Sequence, residues 1–559
     1  MKEQHILFIN MPALPLAKLR KETASRGIRA FPFGILYLSA ILKKQKHLGH
    51  IACVDYLAQD SESFAEDLDK FIISEAVDAI SPYIPDILAF SLSLSSSYDF
   101  FCHCLPLLRK TWPKAKVIVG GMHASNAVEF LLENHDIDYL LAGEAEESFP
   151  LLLACLLEQE EKPVIKGVHW RGGIRYDLKG KPQIAAPIEN LNLLPFPDWS
   201  LLKMDCYAGQ AAQGAQIFWE GVYTDRVQNK HASLLTTRGC PFNCTFCASH
   251  SIHARKMRVR DVPGVIEEMR QLNKGYGINC FHIFDDLALC TTKRALDLLR
   301  AMNNSGIEDL QVAFTQTLSV SCTNEETIDA LIDYTGARTI AFAVETGHPQ
   351  TQKAIKKHCD LDKAGRLIRY AQSRGLIVTI NILLGFPEET REQMLYSISY
   401  VKEYLKPNWT QFFIATPIIG TEMYDQFIKA GCITNSPQVW NNTLIDSRYF
   451  DSPWITAEEL NELRYRANLE CNFADNYDLQ CGNYDKALVL FRGVTRLYPF
   501  HIFAWDGIRR AEKLSGNEKE AKAAKKKIKE LVLNDSLPRE LLEKYGDLFP
   551  EVVEICKVP

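Results

Sequence analysis

Residues 1–155 alternate short apolar runs with helical patterns. HILFIN (5–10), IACVDY (51–56), DILAFSLS (86–93), KVIVGG (116–121) and DYLLAGE (138–144) are near-continuous apolar segments. Between the first two, GILYLSAILKK (34–44) spaces its apolar residues three and four apart, as a helix does. Strands that are apolar on both faces and separated by helices predict a parallel, doubly wound (Rossmann-like) α/β sheet. Several of these strands run straight into Gly, Ser or acidic residues at their C-terminal ends, the edge where open α/β sheets bind ligands.

The pattern then changes twice. Over 156–230, HWRGGIRYDLKGKP (169–182) predicts a small hairpin and LNLLPFPDWS (191–200) a Pro-rich connector. A second βα series follows over 231–430, with strands at SLLTTR (233–238), FHIFDD (281–286), QVAFTQT (311–317), TIAFAVET (339–346), IVTINILLGF (377–386) and QFFIATP (411–417). That many βα repeats predict a full or partial β/α barrel. From about residue 455 the strands stop, so 431–559 is expected to be a helical region. GNYDKALVLFRGVTRLYP (482–499) has the spacing of a tetratricopeptide-type helical hairpin. A single repeat leaves a true array and a helical cap equally open.

Composition narrows the class. Hydrophobic residues at 47% and charged residues at 24% are ordinary for a globular chain. A net charge of −6 over 559 residues supplies no basic face for nucleic acid. No apolar run reaches the roughly 18 residues that span a bilayer, and MKEQHILFIN lacks a secretory pattern. The expected location is the cytoplasm, without a membrane or nucleic-acid partner. In a reducing compartment most of the 16 cysteines, such as Cys53, Cys155, Cys322 and Cys432, are expected to pack as small hydrophobes.

One cysteine set has ligand spacing. RGCPFNCTFCASH places Cys240, Cys244 and Cys247 on one loop just after a predicted strand. Three thiolates there suit a metal centre. With His250 three residues on, a Cys₃His zinc site is one reading. The position after the first strand of a βα series, and Phe246 before the last cysteine, favour the other. The segment resembles the radical S-adenosylmethionine (radical SAM) superfamily, which implies that the cysteines hold a [4Fe–4S] cluster whose fourth iron binds SAM. Downstream, Asp285 and Asp286 end the second barrel strand, where the resemblance implies contacts to the SAM amino group; a helix N-cap is the plainer role for either. Glu345 ends the fourth strand, at a position the resemblance places near the SAM ribose. LLGFPEET (383–390) resembles the family's GFPGET turn with Glu388 in place of the second Gly, and TPIIGTEMY (416–424) resembles its TPxPGT segment.

A second resemblance covers residues 1–200. FPFGILYLSAIL (31–42), DILAFSLSLSSS (86–97), VGGMHAS (119–125), AGEAEESF (142–149) and LPFPDW (194–199) follow in order the elements of the cobalamin-binding domain found ahead of many radical SAM enzymes. This implies cobalamin contacts from Ser91, Ser93, Ser95, Gly120, Gly121, Gly143 and Glu144. Serine hydroxyls there can donate to a buried nucleotide tail, and glycines permit close backbone approach. The loop after the first strand, MPALPLAKLRKETASRG (11–27), carries no DxHxxG motif, so no histidine is assigned below the cobalt.

Together the two resemblances imply a cobalamin-dependent (class B) radical SAM enzyme, and most specifically a methyltransferase acting on an unactivated carbon. A non-methylating cyclase or rearrangement enzyme shares these motifs. A non-catalytic corrinoid sensor does not need the cysteine set, and a methylthiotransferase would need three cluster cysteines in its N-terminal domain, which Cys53, Cys102 and Cys104 do not supply. The expected partners are a small-molecule or peptide substrate, an electron donor such as flavodoxin or ferredoxin, and a protein that docks on the C-terminal helices. Cys206, Tyr207, Trp219 and Tyr223, in the segment 201–232 ahead of the cysteines, are candidates for the substrate entrance.

Overall fold

The computed structural model describes residues 3–12, 31–45, 47–56, 67–208, 230–314 and 317–557. The chain forms two compact units, each assembled from separated stretches: residues 1–212, 235–276 and 416–444 in one, and 213–234, 277–415 and 445–559 in the other. Among the described residues no helix is long and apolar enough to cross a membrane.

The first unit is built on a six-stranded sheet: β1 (Gln4–Asn10), β2 (Leu48–Asp55), β3 (Ile87–Ser91), β4 (Lys116–Gly120), β5 (Tyr139–Leu141) and β6 (Val168–His169), in the order β2-β1-β3-β4-β5-β6. The pairs β1–β2, β1–β3, β3–β4 and β4–β5 are parallel and only β6 joins antiparallel, so the doubly wound expectation holds. Ile6, Phe8, Ile87, Leu141, Phe149 and Leu152 share one core cluster. Full burial of such side chains is worth roughly 1.5–3 kcal/mol each. The connector docks onto helix Phe33–Leu42, the segment that begins this domain's resemblance. Ser39 Oγ donates to Asp198 at 2.6 Å, Lys43 pairs with the same carboxylate at 2.6 Å, and Trp199 packs edge-on against Phe31 at 5.2 Å.

Strand β7 (His231–Leu234) belongs to the second unit, after which the chain returns to the first for a two-residue antiparallel ribbon, β8 (Thr237–Arg238) and β9 (Arg258–Val259). This ribbon closes the loop that carries the three cysteines. The stretch 416–444 also packs into the first unit. Trp440, 1% exposed, meets His123, Phe130 and Tyr98 edge-on at centroid distances of 4.8, 4.8 and 5.1 Å. Asn441 Oδ1 accepts the Asp99 N–H at 3.1 Å.

The second unit holds the barrel. Strands β10 (Cys280–Ile283), β11 (Gln311–Phe314), β12 (Thr339–Glu345), β13 (Ile377–Leu384) and β14 (Trp409–Ile414) join β7 in two parallel groups, β11-β10-β7 and β12-β13-β14. Leu318, just beyond β11, connects the groups. Its N–H donates to Ala341 O at 2.7 Å and its carbonyl accepts from Ala343 N at 3.1 Å, a parallel bridge opposite Phe342. The result is a partial β/α barrel.

The C-terminal helices cover the β14 edge. Helix Ala457–Leu469 opens with a capping box between Thr456 and Glu459 and runs into a wider turn, Glu470–Ala474. From that turn Asn472 accepts the Thr410 N–H at 2.8 Å and donates to its carbonyl at 2.7 Å, as a neighbouring strand would. Leu469, Phe473, Leu490, Phe491 and Phe503 then share a core with Trp409 and Ile377. Helices Tyr484–Leu497 and Ile502–Leu514 follow each other in this packed region.

Candidate functional site

The residues expected at the N-terminal ligand edge do lie on one sheet edge, but they face different ways. Ser91 ends β3, and its hydroxyl lies 3.4 Å from that of Ser93, which is exposed. Leu94 is 44% exposed beside them. Ser95 turns inward, buried, with its hydroxyl 3.0 Å from His123 Nδ1. His123 is fully buried, and burial depresses its imidazole to about 3, so it is neutral. Gly120 ends β4, and a side chain added there would meet Leu141 atoms only at 3.6 Å, so the protein's own packing does not require glycine. Gly121, at φ +115°, is required: an added Cβ would lie 2.6 Å from Leu92 O. An open glycine beside exposed Ser93 and Leu94 fits a large flat ligand resting on this edge.

Gly143 follows β5, and its N–H donates to Ser125 Oγ at 3.0 Å. Glu144 does not present a free carboxylate to a ligand. It is 4% exposed, and Arg258 donates to both of its oxygens, at 2.8 and 2.6 Å. His253 Nδ1 lies 2.7 Å from the same carboxylate and Ile188 N–H donates at 2.9 Å. Burial would raise the Glu144 acid, but the bonds from Arg258 and His253 outweigh it and hold the group well below the usual carboxylate range. Arg238, on the other strand of the ribbon, pairs with Glu146 at 2.5 Å and lies over the Tyr37 ring at 4.7 Å. Sequence reasoning missed these arginines because each meets its partner across about a hundred residues.

The ribbon thus anchored carries Cys240, Cys244 and Cys247, all half-buried. Gly239, at φ +83°, lets the chain turn into the loop: an added Cβ would lie 2.6 Å from Lys256 O. Within the loop Cys247 N–H donates to Cys244 O at 3.3 Å. Thr245, beside Phe246, accepts the Met423 N–H at 2.9 Å from the start of helix Glu422–Lys429. Three thiolates on one loop match a cubane that keeps one iron open for an external ligand.

The second unit carries the other expected residues. Asp285 and Asp286 follow β10, the first 1% exposed and the second exposed. Asp285, Leu287, Leu289, Thr317, Ser319 and Thr323 line a small hollow. Glu345 ends β12 at φ +70°, where the register slips between Ala343 and Glu345. It is 6% exposed, and Lys357 Nζ donates to it at 3.2 Å. Holding a non-glycine residue in this left-handed conformation costs about 1–3 kcal/mol. Glu388, which replaces the second Gly of the family turn, also adopts a positive φ of +63°, so the turn keeps its glycine-like shape. Tyr207 is 2% exposed and stacks on Phe31 at 4.5 Å, which makes it packing. Trp219, Tyr223, the Cys206 side chain and most of the loop after β1 lie outside the described residues.

Comparison with known proteins bears on both domains. The family model for the B12 binding domain matches residues 22–153, and that for the radical SAM superfamily matches residues 234–401. The cytidylyl-2-hydroxyethylphosphonate methyltransferase of Streptomyces wedmorensis is 27% identical over 506 residues, covering 84% of this chain and 90% of that protein. Among solved structures, the cobalamin-dependent S-adenosylmethionine radical enzyme OxsB superposes with a TM-score of 0.63 at 13% identity, covering 98% of this chain and 84% of that one. The radical S-adenosylmethionine methyltransferase TsrM from Kitasatospora setae gives a TM-score of 0.57 at 14% identity, covering 94% and 99%. The chain thus carries a B12 binding domain ahead of a radical SAM domain, with the three-cysteine loop inside the second.

Proposed function

We propose that the enzyme transfers a methyl group to an unactivated carbon of a small-molecule or peptide substrate. The observation that carries this reading is the Glu144–Arg258 clamp, because it joins the end of the cobalamin-domain sheet to the ribbon holding the cysteine loop. A chain built to use both cofactors in one reaction needs such a tie.

When bound, the cluster, SAM and cobalamin supply reductive cleavage of SAM for hydrogen abstraction and a transferable methyl group. The residues divide the remaining work. Cys240, Cys244 and Cys247 hold the cluster iron as thiolates. Asp285, buried at the rim of its hollow, and Glu345, fixed by Lys357, receive the polar ends of SAM. Ser91, Ser93, Gly120 and Gly121 form the cobalamin edge, whereas Ser95 and Glu144 hold that edge in shape. The reductant is a one-electron donor of the flavodoxin or ferredoxin type, in keeping with a cytoplasmic setting.

The test is an anaerobic incubation of reconstituted, reduced enzyme with candidate substrates and methyl-deuterated SAM. The expected result is 5′-deoxyadenosine together with a product that carries the label. 5′-Deoxyadenosine with an altered but unlabelled product would replace this reading with a rearrangement or cyclisation.

A further inference from the structure

We propose that His231, Cys280 and His282 form a second metal site, a structural zinc-class site at the N-terminal end of the barrel strands. Cys280 and His282 are two apart on β10 and therefore share one face of the strand. His231, the first residue of β7, is the direct register partner of Cys280. Parallel neighbours run about 4.8 Å apart, so the backbone itself brings the three side chains together. One ligand atom from each lies within 4.8 Å of the other two. His231 Nδ1 is 2.9 Å from His282 Nε2, and Cys280 Sγ is 3.8 Å from the same nitrogen. Tetrahedral zinc, with Zn–N of about 2.0 Å and Zn–S of about 2.3 Å, sets its ligand atoms roughly 3.3–3.6 Å apart. The observed spacing brackets that range.

The protonation states suit a metal. Burial lowers both imidazoles, His231 to about 4 and His282 to about 3, so each has a lone pair available at neutral pH. Burial pushes the Cys280 thiol up to about 12, so uptake of a divalent ion releases one proton from that sulfur. A plain histidine–histidine hydrogen bond accounts for the 2.9 Å contact. It gives no reason for the thiol to converge on the same nitrogen. Residues at the N-terminal face of a β/α barrel serve stability more than chemistry, so the ion would tie β7 to β10. Three protein ligands leave the fourth position to water.

The experiment uses the full chain after anaerobic reconstitution of its iron–sulfur cluster, loaded with Zn²⁺ and desalted. Elemental analysis is expected to find about one zinc per chain beside about four irons. X-ray absorption at the zinc edge is expected to show one sulfur near about 2.3 Å and two nitrogens near about 2.0 Å. Cys280→Ala and His282→Asn should each lower zinc at least tenfold with iron unchanged. No retained zinc, zinc undiminished in Cys280→Ala, or three sulfurs around the zinc would overturn the proposal, the last by placing the ion in the Cys240 loop. Should the variants fail to fold, the sulfur count in the unsubstituted protein still decides.

Discussion

Glu389 is 2% exposed, and one of its carboxylate oxygens accepts the N–H groups of Gly385 and Phe386 at 2.7 and 3.1 Å. The other oxygen is buried without a hydrogen-bond partner. Burial raises the acid from 4.5 to about 7, against the pull of those two N–H groups and Arg448. Folding therefore favours the protonated form. Its contribution to stability is full below pH 4.5 and is lost as pH rises through about 7. Glu389→Gln keeps an acceptor oxygen for both N–H groups but cannot ionise. The melting temperature of the unsubstituted protein should fall relative to that variant across this window, and identical pH profiles would rule the assignment out. The same turn shows what one residue reveals in sequence. The GFPGET resemblance made the turn legible but left its shape at Glu388 open; the positive φ that Glu388 adopts is a strain of order 1–3 kcal/mol. Glu144 was legible as an edge residue but not as the partner of Arg258, because no local pattern records a pairing across 114 positions.

At the scale of elements, the hydrophobic runs located all the barrel strands to within a few residues, since period and turn chemistry are local. They did not show how the barrel's last strand is finished. That task falls to Asn472, whose amide pairs with both backbone groups of Thr410. Asn472→Ala leaves a buried N–H and a buried carbonyl unmatched, at about 1–3 kcal/mol each. The expected loss is about 2–4 kcal/mol in urea unfolding, with the cluster's visible absorption retained in the folded fraction. A loss below about 1 kcal/mol would mean that water replaces the amide. The helical cap named as one alternative for the C-terminal region is thus the role its first helices perform. Asn408 adds to it by donating to Asp478 at 2.8 Å while accepting the Val378 N–H at 2.7 Å.

The whole molecule is organised by compact units that do not follow the order of the chain. The first unit needs residues 1–212, 235–276 and 416–444 together. Trp440 is the clearest sign, because it fills the aromatic cluster of Tyr98, His123 and Phe130 from some three hundred residues downstream. Trp440→Ala should cost about 3–5 kcal/mol. It should also loosen the Ser95–His123 contact behind the proposed cobalamin edge, seen as less corrinoid retained after gel filtration; full retention at unchanged stability would contradict this. Composition and periodicity describe neighbours in sequence, so they could not reveal that assembly. It carries a consequence for biosynthesis. A ribosome extruding this protein releases the N-terminal sheet long before Trp440 exists, so that sheet must wait, incompletely packed, until translation has passed Leu444. Cofactor insertion would then belong to roughly the last fifth of synthesis, and a nascent chain would rely on chaperones or on slow elongation to protect its exposed aromatic surface until then.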